Sequence, residues 1–531
     1  MSDKLVEIAE DSARGGFFLF TGNAFQLIVL AIGSIIVARL LGPENYGLVS
    51  LSLVVPSILA GLIDLGVNSS LIRFSASLRS EGKAQLAASM LKSGFIFKLL
   101  IGIATSAACF IFSDALATHI LNRPEMGFLV RVTSSLILFQ TIFTTLNAAF
   151  IGLDRTEGSA MIMNAQSIAK ATLSPLLVVL GFSVVGSLMG NIIGYIVASV
   201  VGSLIFFKYY RGLGKPSNNG FSSNLNVMLH YGFPLYLSAL IPLIRGQYQT
   251  LILAFFTSNV EIGNLRIATN VSTMMNVLIL PLMVLFPAFS KVGKSNELKK
   301  VFTLAVKYTS LFIVPVTVVV ATLSRDLVYL LYGESYNLAP SFLSLYILFY
   351  LYSGVGSIVL GHFFTGIGET RVVLFCNLIN LLVFLPLIPV LTMLYGVPGS
   401  IAAFLISTLA SLAYELFIAT KKIHVNLDLK ASSRIYISSF LSTLPLLVFL
   451  HVSPLNGLPN VIASGSLFLL IYLTLTPLIG AITHADLENL KLILSRIKIV
   501  WPLIRPVLAY EAKLLKLAPK TELTKKSEIL F

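Results

Sequence analysis

Seven basic side chains lie inside long apolar runs of this sequence: Lys92, Lys98, Arg131, Lys170, Arg245, Arg266 and Lys307. Only two acids, Asp64 and Glu415, share those runs. A charge at the centre of a hydrocarbon layer costs about 2.5–3.5 kcal/mol even on a lenient insertion scale, so a cation kept there needs a use. Lys92, Arg131 and Glu415 lie near the ends of their runs and can reach polar surroundings along their stems. Arg245, Lys170, Lys98, Lys307 and Arg266 are the candidates for holding an anion, Arg266 nearer an end than the others. Two acids cannot neutralise five bases, so ion pairing alone does not account for them. Their chemistry is that of a wet cationic cavity that awaits an anion.

Uncharged polar residues recur around these cations at helical spacing. Ser238, Pro242, Arg245 and Gln249 fall on one helix face, and Arg266, Asn270, Thr273 and Asn276 on another. Tyr46, Ser50, Ser57, Gly61, Asp64 and Asn68 form a third stripe, and Asn23 and Gln26 add polar groups nearer the N-terminus. Asn23, Gln26, Ser57, Gln249, Asn270 and Asn276 are candidates for contacting a polar headgroup. The same residue types also bridge helices in membranes, a structural alternative for each of them. Asp64 is the one deep acid; it either binds a coupling ion or pairs with a neighbouring base.

The elements that must position these residues follow from composition. Of 531 residues, 56% are hydrophobic and 11% charged, against roughly 25% charged in a soluble protein. That excludes a water-soluble fold. Runs of about 20 apolar residues, the length needed to cross a bilayer, predict fourteen helices near 15–38, 46–72, 85–112, 128–152, 159–181, 184–207, 231–256, 262–288, 301–323, 340–366, 372–394, 397–420, 435–451 and 459–483. Pro175, Pro242, Pro281 and Pro315 interrupt four of them. The fold class is all-α and polytopic.

Charge distribution sets orientation. With alternating loops, the termini and even-numbered loops hold 27 of the 37 Lys and Arg, while the odd-numbered loops hold only Arg39, Arg123 and Arg325. By the positive-inside rule both termini are cytoplasmic, in a multi-pass protein of the cell membrane. The net charge of +14 therefore describes topology and the cavity and calls for no nucleic-acid partner. Residues Met1 to Arg14 form a charged cytoplasmic segment with no cleavable signal.

Two halves of the chain match at a nearly constant offset. Ala38 and Gly47 correspond to Ala254 and Gly263, Gly152 to Gly366, Asp114 to Asp326, and Gly186-Ser187 to Gly399-Ser400. The expected organisation is a first lobe at 15–210, a cytoplasmic linker at 211–230, a second lobe at 231–420, two additional helices at 433–483, and a basic tail at 485–531. Six crossings per copy give the two copies the same orientation, and two such lobes around a cavity make a transporter of the rocking type. In the tail, Leu487, Leu490, Leu494, Ile497 and Trp501 recur at helical spacing among basic residues. This predicts an interfacial helix on the anionic inner leaflet, with docking of a cytoplasmic partner as the alternative.

Other chemistries find no residues to carry them. The segment from Ala288 to Ser295 lacks the first glycine of a nucleotide loop and follows an apolar span, so no nucleotide site is expected. No His/Cys cluster has metal-ligand spacing, no cofactor is implied, and the outer loops hold too few carboxylates for a catalytic surface. Cys109 and Cys376 read as buried apolar residues.

The segment Ala38-Arg-Leu-Leu-Gly-Pro-Glu-Asn-Tyr46-Gly47-Leu, followed by Asp64-Leu-Gly66 and Leu71-Ile-Arg73, resembles the polysaccharide-biosynthesis flippases of the multidrug/oligosaccharidyl-lipid/polysaccharide exporter superfamily. The resemblance continues through Asp326 to Tyr336 and at Tyr395-Gly396-Val-Pro-Gly399-Ser-Ile-Ala, and departs at Leu265, where the family pattern has a tyrosine. It implies V-shaped lobes and an activity: moving a polyprenyl- or dolichyl-(di)phosphate-linked oligosaccharide from the inner to the outer leaflet. The implied partners are that anionic lipid, membrane lipids and glycan-assembly enzymes. The competing readings are a gradient-driven exporter of small solutes and a scaffold for glycan-assembly enzymes that transports nothing.

Overall fold

The structure is a computed structural model that describes residues 3–217, 220–279, 296–495 and 501–517. Among these residues all regular structure is helical. Nine helical runs are long and apolar enough to cross a membrane, and a pair bent by 53°, Ala339–Val355 with Ser357–Gly366, makes up to ten. Pro281 and the segment 288–295 lie outside the described residues, as does the end of the expected span 262–288.

The first helices are α1 (Asp3–Ser52), broken at Gly42, α2 (Val54–Leu62), α3 (Val67–Ser80), α4 (Ala84–Ile111), α5 (Ser113–His119), α6 (Gly127–Thr133) and α7 (Ser135–Gly152). Then come α8 (Thr156–Leu177), α9 (Ser183–Arg211), α10 (Phe221–Phe256) and α11 (Asn259–Ile279). The remainder comprises α12 (Asn296–Thr322), α13 (Ser324–Tyr332), α14 (Ala339–Tyr346), α15 (Ser357–Gly366), α16 (Thr370–Lys421), α17 (Leu429–Val452), α18 (Leu458–Ile479), α19 (His484–Leu494) and α20 (Trp501–Leu517).

There are fewer helical runs than apolar spans because some turns are too tight to interrupt helical hydrogen bonding for long. Residues 156–211 fold back on themselves: a side chain at Gly190 would collide with Ser174, and one at Gly194 with Gln166 and Lys170. The reversal falls at Gly181 (φ 94°) and Ser183 (φ 46°, ψ −129°). Helix α16 reverses in the same way at Gly396 (φ 61°, ψ −140°), so that Asn380 Nδ2 donates to Ser411 Oγ at 3.4 Å. Ser183 and Gly396 stand at the 213-residue offset that also relates Gly186 to Gly399, and their backbones agree.

A second pair of turns agrees as closely. Asp154 (φ 54°) and Gly368 (φ 81°) are 214 residues apart. The N–H of Arg155 donates to the Phe150 carbonyl at 2.8 Å, and that of Glu369 to the Phe364 carbonyl at 2.9 Å. The matched glycines Gly47 and Gly263 touch each other's segments reciprocally: a side chain at Gly47 would strike Asn259, and one at Gly263 would strike Pro43. Both approaches keep the same 216-residue offset, the pattern expected where a two-fold relation passes through a contact.

The chain separates into two compact units. One comprises Met1–Asn270, Tyr332–Leu338 and Leu381–Phe404. Its core includes Val67, Leu71, Leu91, Ala149, Leu153 and Met228, with Phe150 and Ile162 in a neighbouring cluster. The other comprises Val271–Leu331, Ala339–Asn380 and Leu405–Phe531, with one core around Phe302, Phe363 and Phe364 and a second around Tyr308, Val314, Phe468 and Tyr472.

That last core includes the tail. Leu487 and Leu490 are buried in it, and Ile504, Leu508, Ala512 and Leu515 pack against it. Leu487 and Leu490 of the stripe expected to enter lipid are thus turned onto the protein, Ile497 lies outside the described residues, and α12 and α18 hold the tail through side-chain hydrogen bonds. Arg505, Lys513 and Lys516 stay exposed. Thr483 and Asp486 close a capping box that starts α19, Thr476 Oγ1 donates to the buried Glu511 at 3.3 Å, and the Thr474 and Tyr510 hydroxyls lie 2.9 Å apart.

Two expectations follow. Ser183 holds a backbone conformation that suits glycine, at a cost of about 1–3 kcal/mol; Ser183→Gly should raise the melting temperature and Gly396→Ser lower it, measured by thermal unfolding in detergent. Burial pushes the Glu511 carboxyl up to about 7, partly offset by the Thr476 hydroxyl. The docked helix then keeps a proton that the undocked chain releases near 4.5. Its stability is full below that pH and is lost as pH rises towards 7. Emission of Trp501, the one tryptophan of the chain, should red-shift over that window in wild type and stay flat in Glu511→Gln.

Candidate functional site

The expected cations separate into two classes. Lys98, on α4, is almost wholly buried, at 2% exposure. Its ammonium donates to Asp64 Oδ1 at 2.9 Å and to the Ile63 carbonyl at 3.3 Å. This pair sits where the chain breaks between α2 and α3, at Leu65 (φ 49°) and Gly66 (φ 79°). The break is filled from α10: Gly232 comes so close that Gly66 has no room for a side chain, and the Tyr236 hydroxyl donates to the Leu62 carbonyl at 2.7 Å. Asp64 and Lys98 thus brace an interrupted helix, Lys98 buried and Asp64 partly exposed.

Lys307 is also paired. Its ammonium lies 2.5 Å from Asp486 Oδ2, with the two side chains 13% and 5% exposed. The Tyr308 hydroxyl donates to the same carboxylate at 3.4 Å and accepts from Asn489 at 3.2 Å. The sequence counts Asp486 with the tail, which makes Lys307 look unneutralised. The fold returns the tail to α12 and supplies the acid.

Lys170 and Arg266 behave differently. Lys170, on α8, is half-buried beside Gly194 of α9, whose missing side chain leaves room for the lysine stem. Among the described residues neither Lys170 nor Arg266 on α11 has an ion-pair partner. Arg266 is exposed. One turn further along α11, Asn270 Nδ2 donates to the Tyr46 hydroxyl at 3.0 Å. The buried Tyr336 packs edge-on to Tyr332 at 6.1 Å and donates to the Ala38 carbonyl at 2.7 Å. The Asn264 carbonyl oxygen accepts from the Leu338 N–H at 3.2 Å. A tyrosine-lined wall therefore fixes the α11 segment that carries Arg266 and Asn270.

Arg245, on α10, stacks its guanidinium 5.2 Å from the Phe404 ring centre. One turn on, the Gln249 Nε2 is buried with no hydrogen-bond partner among the described residues, and Tyr248 donates to the Leu385 carbonyl at 3.4 Å. An orphaned buried donor costs about 1–3 kcal/mol, which marks Gln249 as poised for a group the described residues do not supply. Asn23 is exposed, and Gln26 and Ser57 are half-buried. Asn276 lies in the other compact unit, where its carbonyl oxygen accepts from Tyr350 at 3.3 Å. Lys170, Arg266 and Asn270 thus belong to the first compact unit with no ion pair at either cation among the described residues, whereas Lys98 and Lys307 are each paired with a carboxylate. Among the described residues no three His, Cys, Asp or Glu side chains are grouped to hold a metal ion.

Sequence reasoning placed Tyr46 on a polar stripe and passed over Tyr332 as a wall residue. The available signal was the pair of tyrosines at 332 and 336, one helical turn apart beside an outer turn.

Comparison with known proteins bears on what such a site serves. Residues 12–293 match the model of a family described as polysaccharide biosynthesis protein. The lipopolysaccharide biosynthesis protein WzxC of Escherichia coli (strain K12) is 23% identical over 441 residues, covering 80% of this chain and 84% of that protein. Among solved structures, the lipid II flippase MurJ in an inward closed conformation aligns with a TM-score of 0.70 at 16% identity, covering 86% of this chain and 98% of MurJ. An inward-facing multidrug resistance MATE family transporter of the MOP superfamily aligns at 0.61 and 19%, covering 75% and 94%.

The Lys98–Asp64 geometry sets an expectation. Removing one partner of a buried pair strands the other charge, at about 3–5 kcal/mol. Asp64→Asn should therefore cut the yield of folded protein and its melting temperature, while Asp64→Asn with Lys98→Gln recovers most of the loss. Size-exclusion profiles and thermal unfolding of the three proteins measure it.

Proposed function

The chain belongs to the polysaccharide biosynthesis protein family, and from that membership we propose that it translocates a polyprenyl- or dolichyl-(di)phosphate-linked oligosaccharide from the cytoplasmic to the outer leaflet. The observation that carries this reading is that Lys170 and Arg266, both in the first compact unit, have no carboxylate partner among the described residues. Cations in an apolar layer without a counter-charge are costly to keep, and a phosphate that binds them offsets that cost. Asn270, beside Arg266, and the orphaned Gln249 amide are placed to meet sugar hydroxyls, while the lipid tail stays in the bilayer. The MurJ likeness supports the fold, and the name of that protein records a lipid-linked substrate.

The cycle proposed is alternating access by two lobes, 15–210 and 231–420, joined by the linker 211–230. The matched turns at Ser183 and Gly396, and at Asp154 and Gly368, favour two copies of one unit. Fourteen crossings are consistent with the helical runs, since three runs hold two expected spans each and the end of the expected span 262–288 lies outside the described residues. The charge distribution then puts both termini in the cytoplasm, and Arg505, Lys513 and Lys516 of the tail towards anionic inner-leaflet lipid. Asp64 is assigned to the brace with Lys98 rather than to a coupling ion. The relatives named above that have a stated activity are transporters or flippases, and no enzymatic role is proposed. An exporter of cationic solutes fits less well, because such solutes favour acids in the cavity.

Reconstitution in liposomes with a defined lipid-linked glycan, scored by an impermeant lectin, tests the reading. A charge-assisted contact to phosphate is worth about 1.5–3 kcal/mol, so Lys170→Gln and Arg266→Gln should each slow translocation by about tenfold or more, with Lys170→Arg close to wild type. Unchanged rates in both glutamine variants would remove the anion-cavity mechanism.

A further inference from the structure

The second compact unit contains a cavity of about 260 Å³ lined by Leu298, Lys299, Phe363, Ile367, Glu369, Val372, Ile418, Lys422 and Ile423. It lies where α12 and α16 begin, α15 ends and α16 closes, far along these helices from their outer turns. Six of its nine lining residues are apolar, two are lysines and one is an acid, giving a lining charge of +1.

The matched corner of the other unit is built differently. At the offsets that relate the two turns, Glu369 stands where Arg155 does and Lys422 where Tyr209 does. There the Arg155 guanidinium stacks 4.9 Å from the Tyr209 ring centre, and Tyr209 meets Phe150 edge-on at 6.5 Å. One copy therefore fills this corner with an aromatic ring and a guanidinium. The other replaces the ring with a flexible cation and the guanidinium with a carboxylate, and its corner stays open. Both turns use a positive φ and close with a matching hydrogen bond, and their side chains differ.

We propose that this cavity is a binding site for an anionic glycerophospholipid of the inner leaflet, distinct from the translocation cavity. The apolar walls formed by Phe363, Ile367, Ile418 and Ile423 suit the start of acyl chains, and Lys299 and Lys422 suit the phosphodiester. A lining charge of +1 matches a singly charged phosphodiester better than a diphosphate, which separates this ligand from the proposed cargo. Its volume, below the range of about 300–1,000 Å³ usual for drug-sized ligands, suits a headgroup rather than an oligosaccharide. The leaflet follows from the orientation proposed above; the binding itself does not depend on it.

The test uses the full chain in nanodiscs of phosphatidylcholine containing a few per cent phosphatidylglycerol, followed by gentle extraction and quantification of retained lipid by native mass spectrometry. Wild type should retain phosphatidylglycerol at least about tenfold over its share. Lys299→Gln with Lys422→Gln should lose that preference, and Lys299→Arg with Lys422→Arg should keep it. Glu369→Arg with Lys422→Tyr, which installs the filling of the other copy, should block retention while leaving the melting temperature near wild type. Retention without preference in wild type, or an undiminished preference in both the glutamine and the filled variants, would overturn the proposal. Displacement by soluble glycerol 3-phosphate at equal concentration would also overturn it, since the ligand would then be a free phosphoester. Failure here leaves the lectin assay unaffected, because that assay reads a different ligand.

Discussion

An ammonium or guanidinium placed in an apolar layer must find a counter-charge, water or a ligand, and much of this structure is the outcome of that constraint. Lys98 finds Asp64 at 2.9 Å, and Lys307 finds Asp486 at 2.5 Å. Each pairing shapes the backbone around it. The first is set into a helix break that α10 fills, and the second draws the tail back onto α12, where the Thr483–Asp486 capping box starts α19. Once those two cations are satisfied, Lys170 and Arg266 remain without an ion-pair partner among the described residues. The functional reading rests on this remainder, since such cations in an apolar layer are costly to keep unless something anionic visits them.

Composition and period carried much of the architecture. Apolar runs locate the helices because backbone groups in lipid must bond within a segment, and the offsets of Gly152, Gly186 and Gly47 locate matching turns. What one-dimensional reading missed was pairing at a distance. Asp486 is 179 residues from Lys307, and nothing in local spacing links a tail acid to a buried lysine. The tail's amphipathic stripe was legible, but a stripe alone does not say whether it meets lipid or protein, and Leu487 and Leu490 meet the protein core. The wall formed by Tyr46, Tyr332 and Tyr336 was likewise invisible, because it joins segments nearly 300 residues apart.

The two copies show what a repeat keeps and what it releases. Turn geometry is kept, through glycine at Gly368 and Gly396 in one copy and the less comfortable Asp154 and Ser183 in the other. Side chains beside the turns have diverged, as the exchange of Arg155 and Tyr209 for Glu369 and Lys422 shows. The cations without an ion pair are also unevenly placed: Lys170 falls in the proposed first lobe and Arg266 in the second.

The central claim is that the unneutralised cations exist to receive a phosphate. Equilibrium binding of a polyprenyl-diphosphate glycan, set against a neutral polyprenyl glycoside of the same sugar, tests it most directly. The account predicts that the purified protein binds the diphosphate at least about tenfold more tightly, and that the preference disappears when Lys170 and Arg266 are both neutralised. Equal affinity for the two lipids in the wild-type protein would contradict it.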